Sequence, residues 1–209
     1  MKVHFKNFIW VVVSALFSVF CLSIAQNKKS RSEIVDLLSV DPTFVLDIRY
    51  ATENNFTKQK LYPVAKAKLR REAAESLHVV QKELRSRGLK LKIYDAYRPH
   101  SIQYKLWAIV PNEDFVANPQ KGSRHNRGAA VDLTIVDIHG NELEMPTPYD
   151  DFTEKAGHEY MNLSEHALRN RALLKDVMTK HGFQPIKSEW WHYDFSGWEK
   201  FDVLDEPLE

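Results

Sequence analysis

The stretch Ser123–Asp132, SRHNRGAAVD, places an imidazole and a carboxylate seven positions apart, His125 and Asp132, with Gly128, Ala129 and Ala130 between them. Ala129 to Val136 has the composition of a strand, so Asp132 falls within a strand and His125 in the loop before it. The small residues leave room for a metal to approach the backbone. Working outward, Glu189 and His192 set a second carboxylate and imidazole three apart, inside an aromatic segment, Glu189–Phe195 (EWWHYDF), that reads as a central strand. Taken singly, His125 reads as a capping residue and Asp132 as a solvated strand acid. The two pairs together offer two imidazoles, one ligating carboxylate and one spare carboxylate. That is the donor set of a catalytic zinc site with an open coordination position and a general base. The spacing is not the helical HExxH arrangement, because two tryptophans separate Glu189 from His192.

The rest of the chain predicts an α+β fold, with helices packed on one mainly antiparallel sheet and the metal site at the sheet end. Thr43–Tyr50 (TFVLDIRY) alternates as a strand, and Ala51–Phe56 is rich in turn formers. Ala65–Arg87 reads as a helix, with Leu69, Ala73, Leu77, Val80 and Leu84 on one face and Gly88 as its stop. Leu89–Tyr94 is a strand running into Asp95 and Arg98, and His100–Ile109 a shorter helix. Pro111–Gly122 is a loop, and His139 to Asn141 a hairpin turn. Pro146–Leu163 is longer than a passive connection needs, as loops beside sites often are. Ser164 caps a helix running to His181, with Leu173, Leu174, Val177 and Met178 inward and Gly182 as its stop. His78, His100, His139, His158, His166 and His181 read as structural or surface residues, His158 at the edge of the cleft.

Lys2 and Lys6 precede an apolar run from Phe8 to Leu22, and Ser23 and Ala25 are small residues suited to signal peptidase. The expectation is a signal peptide over 1–25, a domain over 26–209 and an exported, periplasmic protein. A retained anchor and a lipoprotein on Cys21 are the alternatives, the latter disfavoured by Phe20. Cys21 is the single cysteine, so the mature chain would hold a metal through His and carboxylate alone. Hydrophobic content of 44% and charged content of 27% fit an ordinary globular domain. A net charge of +1 gives no charge-driven route to nucleic acid or a membrane surface.

Arg98, in YDAYRP, follows a strand and reads either as a structural cation paired with Asp95 or as an oxyanion stabiliser in a cleft. With RYATENNF upstream, the segments YDAYRP, SRHNRGAAVDLT and EWWHY resemble the zinc D-alanyl-D-alanine dipeptidases of the VanX type. These share a fold group with the zinc D,D-carboxypeptidases and the hedgehog signalling domain. The resemblance runs from about Thr43 to Phe195. It implies one Zn2+ per chain on His125, Asp132 and His192, with Glu189 as the base and Arg98 stabilising the transition state. It also implies that Tyr50, Ser123 and Asp150 line the dipeptide site, Asp150 holding the ammonium and Ser123 the carboxylate. Asp151 is adjacent, and the spacing from Gly140 favours Asp150. The implied reaction is hydrolysis of D-alanyl-D-alanine, with export pointing to cell-wall turnover or scavenging rather than glycopeptide resistance. Two alternatives stand: a zinc D,D-carboxypeptidase acting on longer stem peptides, and a zinc-binding module without catalysis, against which Glu189 and Arg98 argue. The pattern fixes no oligomeric state.

Overall fold

A computed structural model of the protein describes residues 32–113 and 115–209, so the expected signal segment, its cleavage after Ala25 and Cys21 lie outside the described residues. The unit from Ile34 to Glu209 begins with β1 (Ile34–Asp36), a single helical turn α1 (Leu37–Val40), β2 (Val45–Leu46), β3 (Lys68–Arg70) and α2 (Arg71–Arg85). It continues through β4 (Leu89–Asp95), α3 (His100–Ile109), β5 (Ala130–Asp137), α4 (Glu165–Lys180), β6 (Phe183–Pro185) and β7 (His192–Phe195). Five strands form one sheet in the order β2-β4-β5-β7-β6, while β1 and β3 pair as a separate ribbon. Only β2–β4 is parallel within the sheet, so the expected mainly antiparallel α+β architecture holds.

β5 is the sheet's central strand and is buried from Ala130 to Val136. α2 packs on β3 and β4, and α4 on β5 and β6. Leu77, Val80 and Leu84 point inward from the first helix, and Leu174, Val177 and Met178 from the second. Leu173 is only half-buried. Gln81 is fully buried in α2; its amide donates to Thr43 O (2.9 Å) and accepts the Leu91 N–H (2.8 Å), joining helix, loop and β4. Ser164 caps α4 as expected, its Oγ accepting the Ala167 N–H at 3.0 Å. The turn after β5 closes through Asp137 N–H to Asn141 O (2.9 Å), with Gly140 at φ +90°.

Several boundaries differ from the sequence expectation. The helix expected from Ala65 begins at Arg71, and Leu69, expected on its buried face, pairs with Val35 in the β1–β3 ribbon. Three long-range bonds take this backbone out of helical form: Leu37 N–H to Ala67 O, Tyr97 N–H to Lys68 O and Arg70 N–H to Gly128 O, at 2.8–2.9 Å. Local propensity yields to tertiary pairing here. The strand expected over Thr43–Tyr50 is reduced to Val45–Leu46, because Thr43 is folded onto Asp41 and Arg49–Ala51 forms a 3-10 turn. Glu189 to Trp191 precede β7 as a turn, so the strand begins at His192. β6, which the sequence did not announce, forms one edge of the sheet; Pro185 is tolerated at such an edge.

Trp190 and Trp191 are both 1% exposed. Trp190 Nε1–H donates to Thr147 Oγ1 and its N–H to Ala156 O, each at 3.0 Å, which stitches the 146–163 loop to the segment before β7.

Gly128 ends the 3-10 turn that carries His125, at φ +66°, and a Cβ there would lie 2.4 Å from Ile34 Cδ1 and 3.3 Å from Arg70 N. Gly128→Ala combines a left-handed backbone with a clash against the Ile34 side chain and a tight approach to the Arg70 backbone nitrogen. It should cost about 1–3 kcal/mol in urea unfolding; a change below about 0.5 kcal/mol would show that the turn relaxes freely.

Candidate active site

The sheet register brings the key side chains together. Asp95, Asp132 and His192 are cross-strand partners on β4, β5 and β7, so one row of the sheet carries two carboxylates and an imidazole. His125 reaches this row from its 3-10 turn, whose backbone is tied down by Arg98 N–H to His125 O at 3.1 Å.

His125 Nδ1 lies 2.7 Å from Ala96 O; a carbonyl only accepts, so Nδ1 carries the proton and Nε2 presents its lone pair. Nε2 is 3.2 Å from His192 Nδ1 and 3.3 Å from Asp132 Oδ1. His192 Nδ1 is 2.9 Å from the same Asp132 oxygen, while its Nε2 donates to Asp194 Oδ1 at 2.9 Å. Asp132 Oδ2 accepts the Tyr149 hydroxyl at 2.9 Å. The three donor atoms lie within 4.8 Å of one another. Each ligand's second polar atom is engaged by a partner, which fixes tautomer and orientation as metal sites require. Burial opposes charge on Asp132, but the two imidazoles outweigh it and hold this carboxyl below its usual range. Burial likewise opposes charge on His192, and hydrogen bonds to Asp132 and Asp194 carry it up to about 10. The cluster favours positive charge at its centre. With two nitrogens, one carboxylate oxygen and no thiolate, the donor set fits zinc, and also cobalt or iron.

All the residues selected from the sequence line one cavity of about 190 Å³: Tyr50, Arg98, Ser123, Asp150 and Glu189 join the three ligand candidates. Asp151 is not among its walls; its carboxylate accepts the Thr153 N–H. Glu189 Oε2 sits 4.0 Å from His192 Nδ1. Burial pushes Glu189 up to about 7, with His192 opposing and Asp132 adding to the shift. Asp150 has φ +61°, rare outside glycine, and its Oδ2 is buried with no partner among the described residues. Burial, then the Asp132 charge, raise Asp150 to about 8 against the pull of Arg98. Ser123 Oγ accepts the Asn126 N–H at 3.2 Å, which leaves the hydroxyl proton to donate.

Both readings of Arg98 meet in one geometry. Its Nε and Nη2 bond Asp95 Oδ2 at 3.1 and 2.7 Å, its Nη1 bonds Gln103 at 2.9 Å, and it still faces the cavity. Asp95 is held in turn by the Tyr62 hydroxyl (2.8 Å) and the Ala96 N–H (2.9 Å).

Sequence reasoning missed Asp194, Tyr149, Gln103 and Asn126. Asp194 was findable, because strand alternation puts it on the face of His192 two positions earlier. Asn126 bonds Ser123 N–H (2.8 Å) and Arg98 O (2.9 Å) from inside the SRHNRG motif, where nothing marks it. Tyr149 and Gln103 act across loops that spacing does not connect. His158 does not line the cavity; burial holds it down to about 4.

Comparison with known proteins places the chain in one family. The family model described as D-ala-D-ala dipeptidase (Peptidase_M15) matches residues 30–205. The chain is 38% identical over 177 residues to the D-alanyl-D-alanine dipeptidase of Escherichia coli K12, covering 83% of this chain and 90% of the relative. It is 32% identical over 168 residues to the enzyme of the same name from Enterococcus faecium, covering 70% and 83%. Among solved structures, a zinc-bound VanY D,D-pentapeptidase mutant overlaps it with a TM-score of 0.42 at 17% identity, over 66% of this chain and 78% of that one. That overlap is too partial to bear on the chemistry.

Asp194→Ala removes the acceptor that fixes the His192 ring. Zinc affinity, read by competition with a chromophoric chelator, should fall roughly 10–100-fold. An affinity within about twofold of the parent would show that Asp194 does not orient the ligand.

Proposed function

The chain belongs to the D-Ala-D-Ala dipeptidase family, and from that premise we propose that it hydrolyses free D-alanyl-D-alanine to two D-alanines, with one zinc ion on His125, Asp132 and His192. The observation that carries this reading is the convergence, in one cavity of about 190 Å³, of the three ligand candidates, a carboxyl raised to about 7 and a second carboxylate with an unpartnered oxygen. That volume lies below the roughly 300–1,000 Å³ of drug-sized pockets, which suits a dipeptide.

Held there, zinc supplies a Lewis acid that polarises the scissile carbonyl and acidifies the attacking water. Glu189 takes the proton of that water and passes it to the leaving amine; a pKa of about 7 suits both acceptance and return. Arg98, fixed by Asp95 and Gln103, faces the oxygen on which negative charge develops. Asp150 pairs the substrate ammonium through its free oxygen, and the Ser123 hydroxyl orients the carboxylate. A site that recognises both termini excludes longer chains, because a buried charge would otherwise lose its partner. The Lys2 and Lys6 region, the apolar run and Ser23–Ala25 support an exported enzyme working on dipeptide freed during wall turnover.

Amine release from D-Ala-D-Ala by Gln26–Glu209 should require zinc. Glu189→Ala should lower kcat roughly 10²–10⁴-fold with zinc content retained. Comparable cleavage of a capped longer peptide ending in D-Ala-D-Ala would move the assignment to a carboxypeptidase, and zinc binding without cleavage of either to a binding module. Fractionation of the native cell should place protein and activity outside the cytosol; finding both only in the cytosol would remove the export assignment.

A further inference from the structure

The catalytic cavity has a neighbour of about 500 Å³, and the two spaces share Glu113, Phe115, Phe152, Ser188 and Glu189 as lining residues. Two of these belong to an aromatic cluster built from three separate loops. Phe152 packs on Phe56 with ring centroids 5.3 Å apart and on Phe115 at 5.0 Å, and Phe56 packs edge-on against Tyr50 at 6.2 Å. Phe56 and Tyr50 line the catalytic cavity only, whereas Phe115 and Phe152 line both spaces. Phe115 is 40% exposed, so one face of its ring meets solvent.

The cluster stands beside Asp150. That residue lies two positions before Phe152, and its carboxylate accepts the backbone N–H of Phe56. The same short stretches of backbone therefore present the acid assigned to the peptide's ammonium and the rings next to it. A peptide with one more residue at its amino end needs roughly 3.3–3.6 Å of further path beyond that ammonium. Phe56, Phe115 and Phe152 line the same cavity as the Asp150 carboxylate, and Phe56 is bonded to it through its backbone. The neighbouring chamber, with more than twice the volume, has room for such an extension.

We propose that Phe56, Phe115 and Phe152 set the length of the peptide this enzyme accepts, by walling the amino end of the catalytic cavity off from the adjoining chamber. The proposal rests on the dipeptidase reading and adds a steric limit to the charge-based one. Opening the wall joins the two spaces and admits peptides extended at the amino end of D-Ala-D-Ala.

The test compares kcat/KM for D-Ala-D-Ala and Gly-D-Ala-D-Ala in the zinc-loaded parent, Phe152→Ala, Phe115→Ala and Phe152→Leu, with Asp150→Asn as the charge control. The tripeptide keeps a free ammonium, so it probes size. The tripeptide-to-dipeptide ratio should rise at least about tenfold in Phe152→Ala, and less in Phe115→Ala and Phe152→Leu. Because the readout is a ratio within one protein, partial loss of activity does not obscure it, and the partly exposed Phe115 site keeps the test alive if Phe152→Ala fails to fold. Ratios within about twofold of the parent in all the phenylalanine variants overturn the wall. So does a ratio that rises in Asp150→Asn alone, or a parent that cleaves the tripeptide as readily as the dipeptide. A parent inactive on the dipeptide overturns the dipeptidase reading and the wall with it, so the parent alone tells the two failures apart.

Discussion

Two carboxylates, Asp95 and Asp132, face each other across β4 and β5, both nearly sealed from solvent. Like charges opposite one another in a sheet destabilise it, and burial makes the conflict worse. The molecule resolves it by giving each acid its own cation. Asp95 receives the Arg98 guanidinium, a buried pair that the Tyr62 hydroxyl and Gln103 complete. Asp132 receives His125 and His192, and with them a place for a metal. The side chains assigned to polarising the substrate are those that neutralise the sheet. Catalytic machinery and structural compensation are one set of groups.

Around this centre the polar atoms are satisfied in layers. Ala96 O orients His125, Asp194 orients His192, and Tyr149 occupies the second oxygen of Asp132. Asp150 breaks the pattern: its backbone is held in a sparsely populated region and one oxygen lacks a partner among the described residues. Strain of this kind costs of order 1–3 kcal/mol and persists where surrounding structure enforces it. An ammonium group placed at that oxygen would supply the missing partner and leave the backbone conformation as it is.

The chemistry was more legible in the sequence than the architecture. His125, Asp132, Glu189 and His192 are conspicuous because two imidazole–carboxylate pairs in aromatic or small-residue settings are hard to explain as surface, and all four line the cavity. The core helix was legible from Leu77, Val80 and Leu84, but its start was not. Leu69 continues the helical spacing, and only the partners Val35, Gly128 and Tyr97, distant in sequence, draw that backbone into a ribbon. β6 and β1 are three residues each, too short for a period to register. Asn126 and Gln103 escaped for a related reason: their work is to bond backbone and side chains that only the fold brings near.

The stitching of the 146–163 loop bears on how the enzyme moves. Trp190 grips Thr147 and Ala156, and His158 N–H bonds Lys187 O at 3.0 Å, so the loop is fastened along its length to the segment that carries Glu189. A displacement of this loop would strain the hydrogen bonds that tie it to the segment carrying Glu189. Loop and base are thus parts of one framework, joined by hydrogen bonds at Thr147, Ala156 and His158.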